Sequence, residues 1–301
     1  YHYNDTTLKG FSHTHLSGTG CIDLGDILFR PTTLKPDLTT ESIYQPAAFS
    51  HKDEDASAGY YSVVLKEEGI KAELTVTAHA GMHRYTFSSG KEASIIIDLT
   101  HLLDNEYIYE AELEQTAANE ITGMRRTRGW TDNQYVYFVA QFSKPFQAID
   151  FIQNKKMVSA GVKLNGTDLQ ACLSFDNSNG EPVIAKVGLS IVSEKNAREN
   201  LETEVIGFDF DAVRSAARSA WEQALSAITV KGGNTDDLKN FYTAMYHSMV
   251  VPNVVSDVNG EYRRHNMEIG QLPKGKVQYS TFSLWDTFRA AHPLYTIVTP
   301  E

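Results

Sequence analysis

Ile70-Lys71-Ala72-Glu73-Leu74-Thr75-Val76-Thr77-Ala78, preceded by the turn pair Glu68-Gly69, alternates apolar and polar residues without a break. A period of two sends successive side chains to opposite faces, so this stretch reads as a half-buried β-strand with one apolar and one wet face. Runs of the same kind follow at residues 83–87, 94–99, 109–115, 120–126, 135–142, 146–152, 159–164, 169–175 and 183–192. Strands at so short a spacing predict an antiparallel β-sandwich. Asn165-Gly166 falls between two of the runs and predicts a two-residue hairpin turn, because both central positions of a type I′ turn need positive φ. The strands on either side of it are then expected to be antiparallel neighbours.

At Phe210 the period changes to 3.6. Val213, Ala216, Ala217, Ala220, Trp221, Ala224, Leu225 and Ile228 share one helical stripe, with Asp211 placed to cap it. After Gly232-Gly233, Thr235 can cap a second helix that buries Leu238, Phe241, Tyr242, Met245 and Met249, with Asp236 and Asp237 favourable in its first turn. A third helix is expected from Ser283, burying Leu284, Trp285, Phe288 and Ala291 until Pro293 stops it. The periods therefore divide the chain into a β-sandwich over residues 1–209, a helical linker over 210–233, and the beginning of a helical domain over 234–301. Roughly 70 residues cannot close a large helical core, so that last domain is expected to be truncated.

The 301 residues suffice for about two domains. A hydrophobic fraction of 42% with 22% charged residues is that of a folded protein and excludes wholesale disorder, collagen-like repeats and a coiled coil. The 27 Lys and Arg against 38 Asp and Glu leave a formal charge of −11, which opposes binding to phosphate backbones or anionic lipid. No nucleic-acid partner is expected. The longest apolar runs, residues 94–99 and 135–142, fall far short of the roughly 20 residues a membrane-crossing helix needs, so no membrane span is expected. Cys21 and Cys172 belong to no CxxC or CxxH pattern, and whether they pair is left open. The chain starts at Tyr1 without a leader and is expected to begin inside a longer product. Asn4-Asp5-Thr6 and Asn165-Gly166-Thr167 match glycosylation acceptors, a triplet too common to carry weight.

Two stretches concentrate chemistry. Gly10-Phe11-Ser12-His13-Thr14-His15-Leu16-Ser17-Gly18-Thr19-Gly20-Cys21 combines glycines that allow close backbone approach with donors and acceptors suited to a polyhydroxylated ligand. On composition alone it fits a glycine-rich surface loop equally well. His13-x-His15 would project to one side of a strand and suggests a metal, with a third ligand to come from His51, His79, His83 or His101. Ser283-Leu284-Trp285-Asp286-Thr287-Phe288-Arg289 sets an aromatic ring, a carboxylate and a guanidinium within two turns, a set that suits the C–H face and hydroxyls of a sugar. The alternative packs Trp285 in a core and leaves Asp286 to complement the helix dipole. Asp257, Glu261 and Glu268 read as solvated surface charges.

Residues 10–21 followed by Asp23-Leu24-Gly25-Asp26, together with residues 241–263 and 279–292, resemble glycoside hydrolase family 92. The resemblance implies a calcium-dependent, exo-acting α-mannosidase that inverts the anomeric centre, built as an N-terminal β-sandwich, a helical linker and an (α/α)6 barrel. It makes residues 234–301 the start of that barrel. It also implies that the general acid, the base and most calcium ligands lie beyond Glu301, so no catalytic residue is expected in this chain, which alone should be inactive. An inverting mechanism needs two carboxyl groups about 6.5–9.5 Å apart, and no pair here is nominated for both roles. Trp285 and Asp286, with Arg289 beside them, then look like residues that bind the terminal mannose. His13 and His15 look like the sandwich's contribution to the pocket rim. The implied cofactor is calcium, the implied partner a mannose-containing glycan with α-1,2 linkages favoured, and the implied process N-glycan degradation. The implied location is exported, periplasmic or at the cell surface. The competing reading is a non-catalytic carbohydrate-binding sandwich, from which the helical segment carrying Trp285 and Asp286 would distinguish an enzyme. A metalloenzyme built on His13 and His15 is a further alternative.

Overall fold

A computed structural model describes residues 2–17, 22–34, 46–103, 106–158, 161, 163–280 and 283–300. In chain order the strands are β1 (Thr7–Leu8), β2 (Leu28–Thr32), β3 (Ala47–Ala48), β4 (Glu54–Ser57), β5 (Tyr60–Leu65), β6 (Ile70–Val76), β7 (Ala80–Thr86), β8 (Ala93–Asp98), β9 (Tyr107–Ala117), β10 (Glu120–Arg128), β11 (Gln134–Phe142), β12 (Ala148–Gln153), β13 (Lys156–Val158), β14 (Leu164–Gly166), β15 (Leu169–Phe175) and β16 (Val183–Ser190). Among the described residues they form a nine-stranded sheet ordered β14-β9-β10-β11-β16-β7-β6-β5-β4 and a five-stranded sheet ordered β13-β12-β15-β8-β2, all pairs antiparallel, with β1 and β3 as a small ribbon. Val63, Ile70, Tyr85, Phe138 and Phe142 of the larger sheet pack on Phe29, Ile95, Ile97, Phe151 and Leu173 of the smaller. This is the sandwich that the period of two predicts.

The wet face expected of β6 is covered over much of its length, with Lys71 left exposed. Glu73 is only 4% exposed and Thr75 is buried, because two helices lie across the outer face of the nine-stranded sheet. These are α1 (Glu194–Glu204) and α2 (Phe210–Leu225), whose Ala197, Leu201 and Phe210 join Tyr60, Met82 and Val139 in a second core. The sequence gives no hint of α1, since two of its four buried residues are Asn196 and Asn200 and its apolar stripe is too thin to show a period. Gly188 in β16 permits the close approach: a Cβ there would stand 2.4 Å from the Ala197 carbonyl oxygen and 2.5 Å from the Leu201 Cβ.

Asn165-Gly166 makes no hairpin turn. Both residues belong to β14, which pairs with β9 in the nine-stranded sheet, whereas β15 pairs with β8 and β12 in the other. The chain changes sheets here, so the two strands are not neighbours; residues 159, 160 and 162 of the preceding run lie outside the described residues. The two-residue turn with positive φ at both centres is Asn154 (52°) and Lys155 (58°), which closes β12 onto β13.

Helix α2 is capped by Asp209, whose carboxylate accepts from the Ala212 amide, and Asp211 sits in its first turn, paired with Arg84 at 2.9 Å. Helix α3 (Thr235–Met249) is capped by Asn234, in a reciprocal box with Asp237, and buries Met245 as expected, with Leu238, Phe241, Tyr242 and Met249 half-buried. The last helix divides in two, α4 (Leu284–Thr287) and α5 (Ala291–Val298). Pro293 lies in the first turn of α5, where its missing N–H has no intrahelical partner to lose, so it starts a helix and does not stop one. Leu284, Trp285 and Phe288 are exposed, against the expectation that they are buried. Between α3 and α4, a hairpin of β17 (Glu261–Arg263) and β18 (Ile269–Gln271) leans on α1 through Asp257. Asp257 is buried, not a solvated charge: it accepts hydrogen bonds from Ser190, Asn196 and Asn200, each at 2.7 Å. Among the described residues no helix is long and apolar enough to cross a membrane.

Candidate functional site

The glycine-rich segment doubles back on itself. Phe11 and Phe29 exchange backbone hydrogen bonds at 2.8 and 2.9 Å, the His13 amide donates to the Asp26 carbonyl at 2.9 Å, and the Gly25 amide donates to that of Thr14 at 3.1 Å. The result is a long loop whose two limbs are residues 11–17 and 22–29; Gly18, Thr19, Gly20 and Cys21 lie outside the described residues. On the returning limb Leu24 (φ 73°), Gly25 (84°) and Ile27 (55°) are left-handed. For Leu and a β-branched Ile that conformation costs of order 1–3 kcal/mol and persists only where the surroundings impose it.

Asp26 supplies much of that imposition. Its buried carboxylate lies 3.0 Å from the Arg125 guanidinium and accepts from the Thr14 hydroxyl at 2.8 Å and the Gln134 amide at 3.0 Å. Arg125 is itself enclosed, donating to the Leu99 and His101 carbonyls and lying 3.9 Å from Glu106. Burial pushes the Glu106 carboxyl up to about 7, against the Leu103 amide and the charge of Arg125, which pull it down. Asp23 holds the other side: it accepts from the Leu24 amide at 2.9 Å and from the Trp130 amide at 3.2 Å, which fixes the 129–133 loop against the glycine-rich one.

His13 faces inward. Its Nδ1 is 2.6 Å from the Ile27 carbonyl and its Nε2 is 2.9 Å from Nε2 of His83, whose Nδ1 is 2.7 Å from the Tyr85 hydroxyl. Burial lowers His13 to about 4, despite its bond to Ile27, and lowers His83 well below the usual range. His15 is exposed. The two therefore do not form a ligand pair, because one ring is committed to the core while the other is in solvent. Of the other histidines, only His83 joins His13. His51 bonds Glu54 and the Tyr3 carbonyl, and His79 bonds Glu204 and the Ser256 carbonyl. Among the described residues no group of three or more His, Cys, Asp or Glu gathers in the manner of a metal's donor set.

The segment from Ser283 is solvent-facing. Trp285 is 88% exposed, Asp286 and Arg289 are exposed, and the Arg289 guanidinium lies over the Phe288 ring at 5.4 Å. Among the described residues no hydrogen bond, ion pair or ring contact connects this segment to the loop of His13 and His15. The residues that sequence reading missed are Arg125, Glu106, Gln134 and Trp130. One signal was present for Arg125, because Ile121, Gly123 and Arg125 fall at period two on the inward face of β10.

The glycosyl hydrolase family 92 N-terminal domain matches residues 1–190, and the glycosyl hydrolase family 92 catalytic domain matches residues 196–301. A solved family GH92 α-mannosidase from Bacteroides thetaiotaomicron superimposes with a TM-score of 0.91 at 37% identity over 98% of this chain and 41% of its own. The same α-mannosidase in complex with mannoimidazole gives a TM-score of 0.92, with 98% and 40% covered. An uncharacterized secreted glycosidase of Arthroderma benhamiae is 31% identical over 287 residues, spanning 85% of this chain and 36% of its own length. The chain thus spans about two fifths of the length of these relatives.

Proposed function

The chain belongs to glycosyl hydrolase family 92, and from that premise we propose that the whole protein is an exo-acting α-mannosidase that removes terminal α-linked mannose, α-1,2 linkages first, with inversion and with calcium. The observation that carries the reading is the 37% identity and TM-score of 0.91 to a GH92 α-mannosidase across 98% of the chain. The mannoimidazole complex of that relative supports a mannose-containing glycan as the partner. The division proposed is a sandwich over 1–209, a linker over 210–233 and the first helices of an (α/α)6 barrel over 234–301.

On this reading Trp285 offers a ring to the apolar face of the terminal sugar, Asp286 accepts from its hydroxyls, and Arg289 donates to its oxygens. All three side chains are exposed among the described residues. His15 is the loop's contact residue, and His13 contributes by fixing the loop from below. The acid, the base and the calcium ligands are assigned to parts of the protein outside these 301 residues. The secreted relative supports export to the periplasm, cell surface or medium.

The test is incubation of the full-length protein with α-1,2-mannobiose, with and without exhaustive chelation. Mannose release that a chelator abolishes is expected; release that survives chelation removes calcium from the proposal, and no release removes the activity. The 301-residue chain alone should release none, because hydrolysis draws its rate from two positioned carboxyl groups. In the full-length enzyme Asp286→Ala is expected to lower kcat/KM about a hundredfold or more, since charge-assisted bonds to hydroxyls tighten as the ring distorts. His13→Ala should cost less in rate and more in melting temperature. An Asp286→Ala enzyme that is destabilised yet fully active would make Asp286 structural.

A further inference from the structure

The register of β9, β10 and β11 sets Tyr107 opposite Arg128 and Thr127 opposite Gln134, which brings Tyr107, Tyr109, Tyr135 and the Trp130 loop to one end of the nine-stranded sheet. Tyr107 and Tyr109 meet edge to face with centroids 5.3 Å apart. The Arg126 guanidinium lies between two rings, 5.0 Å from the centroid of Tyr109 and 5.3 Å from that of Tyr135, and its Nε donates to the Asn133 side chain at 3.0 Å. Arg263 of β17 stacks on Tyr135 at 4.3 Å. Trp130 is 71% exposed and Tyr107 59%.

An aromatic ring this exposed usually sits on a chain free to fold down over its neighbours. Here the loop is held: Asp23 takes the Trp130 amide, and Gly129 lies so close that a Cβ would stand 2.0 Å from the Asp23 carboxylate. Tyr109 and Tyr135, on the adjoining strands, are held as well, by guanidinium groups stacked on them. Around them stand Glu110, Arg128, Asp132 and Asn133. Among the described residues from 106 to 135, no Leu, Ile, Val or Met is exposed, so the surface consists of rings and polar groups and lacks the aliphatic side chains of a protein-docking patch. Exposed rings on a tethered backbone, with hydrogen-bonding groups at their margin, match the C–H faces and hydroxyls of sugars.

We propose that Trp130, Tyr107 and Tyr109 form a platform for an extended glycan, taking sugar units remote from the terminal mannose. Asp23 holds both the platform and the glycine-rich loop, so the two keep a fixed relation. The inference rests on the α-mannosidase reading for its substrate, and the test separates the two.

Full-length enzyme and its Trp130→Ala and Tyr107→Ala variants are assayed on α-1,2-mannobiose and on a large high-mannose glycan. The expected result is a fall of about fivefold to tenfold in the ratio of kcat/KM on the glycan to kcat/KM on the disaccharide. A ratio equal to that of the wild type overturns the platform, whatever the absolute rates. Should Trp130→Ala not fold, Trp130→Phe, which retains a ring, and Tyr107→Ala read the same ratio. If the wild type hydrolyses neither substrate, the activity has failed, and calorimetric titration with the glycan tests the platform directly. Binding weakened by Trp130→Ala then sustains it, and binding that is absent or unaltered overturns it.

Discussion

His13, His83 and Tyr85 form a chain whose protons are placed by its ends. The Ile27 carbonyl can only accept, so His13 carries its hydrogen on Nδ1 and accepts at Nε2; His83 then donates from Nε2, and its Nδ1 accepts from the Tyr85 hydroxyl. Both rings are neutral. Unfolding returns them to about 6.5, so the unfolded chain binds more protons than the folded one. The stability they contribute is complete above about pH 6.5 and is lost as pH falls toward 4, by at most about 3 kcal/mol for His13. Melting temperature should therefore drop between pH 7 and pH 5, while the His13 imidazole signals in NMR stay untitrated. An imidazole titrating near 6.5 would show that the chain is open. None of this was readable from the sequence, where His13 and His15 look alike: two residues apart on a strand they would share a side, but on this bent limb they part.

Helix α1 is an element that only its surroundings make. Asn196 and Asn200, which dilute its apolar stripe, are the donors that Asp257 gathers, and Arg198 makes a two-pronged pair with Glu120 at 2.7 and 2.8 Å. Asp257→Ala would take an acceptor from three buried donors, of which Asn196 keeps Glu261 and Asn200 keeps the Leu189 carbonyl while the Ser190 hydroxyl is left without its partner, and is expected to destabilise by about 1–3 kcal/mol in thermal unfolding. A loss below about 1 kcal/mol would mean that water replaces the carboxylate. Acid should loosen the same layer. Burial raises the carboxyls of Glu73 and Glu120, but Arg84, Tyr60 and Lys71 for the one, and Arg198, Thr116 and Gln141 for the other, outweigh it and hold both near 2. Folded values below the unfolded ones give stability that is present above about pH 4.5 and lost as pH falls through about 2. Arg84→Gln should flatten that acid limb; an unchanged pH profile would deny the pair its role. The strands were legible because alternation survives in them, although which faces are wet depends on α1 and α2, which cover one sheet.

At the scale of the molecule, the sandwich is closed and the helical end is open. Leu284, Trp285, Phe288 and Ile297 all stand in solvent, an apolar surface uncommon on a monomer. The 301-residue chain alone is expected to bind a hydrophobic dye and to self-associate with rising concentration, and substitution of Leu284 and Ile297 by Ser should reduce both. A chain that stays monomeric and dye-silent would show that those side chains find cover within it. The order of sandwich, then helices, could be read from the change of period at Phe210. The arrangement of the loop could not, because it is built by partners distant in the chain. The Trp130 amide reaches Asp23 across 107 positions, and the Gln134 side chain reaches Asp26 across 108. That separation has a kinetic consequence. At roughly 5–20 residues per second of synthesis, the loop waits on the order of 5–20 s for β10 and β11 to be made. Closing so long a span is among the slower steps of folding. The left-handed turn at Leu24-Gly25 is therefore expected to be among the last parts of the sandwich to set, although it is translated well before the strands that hold it.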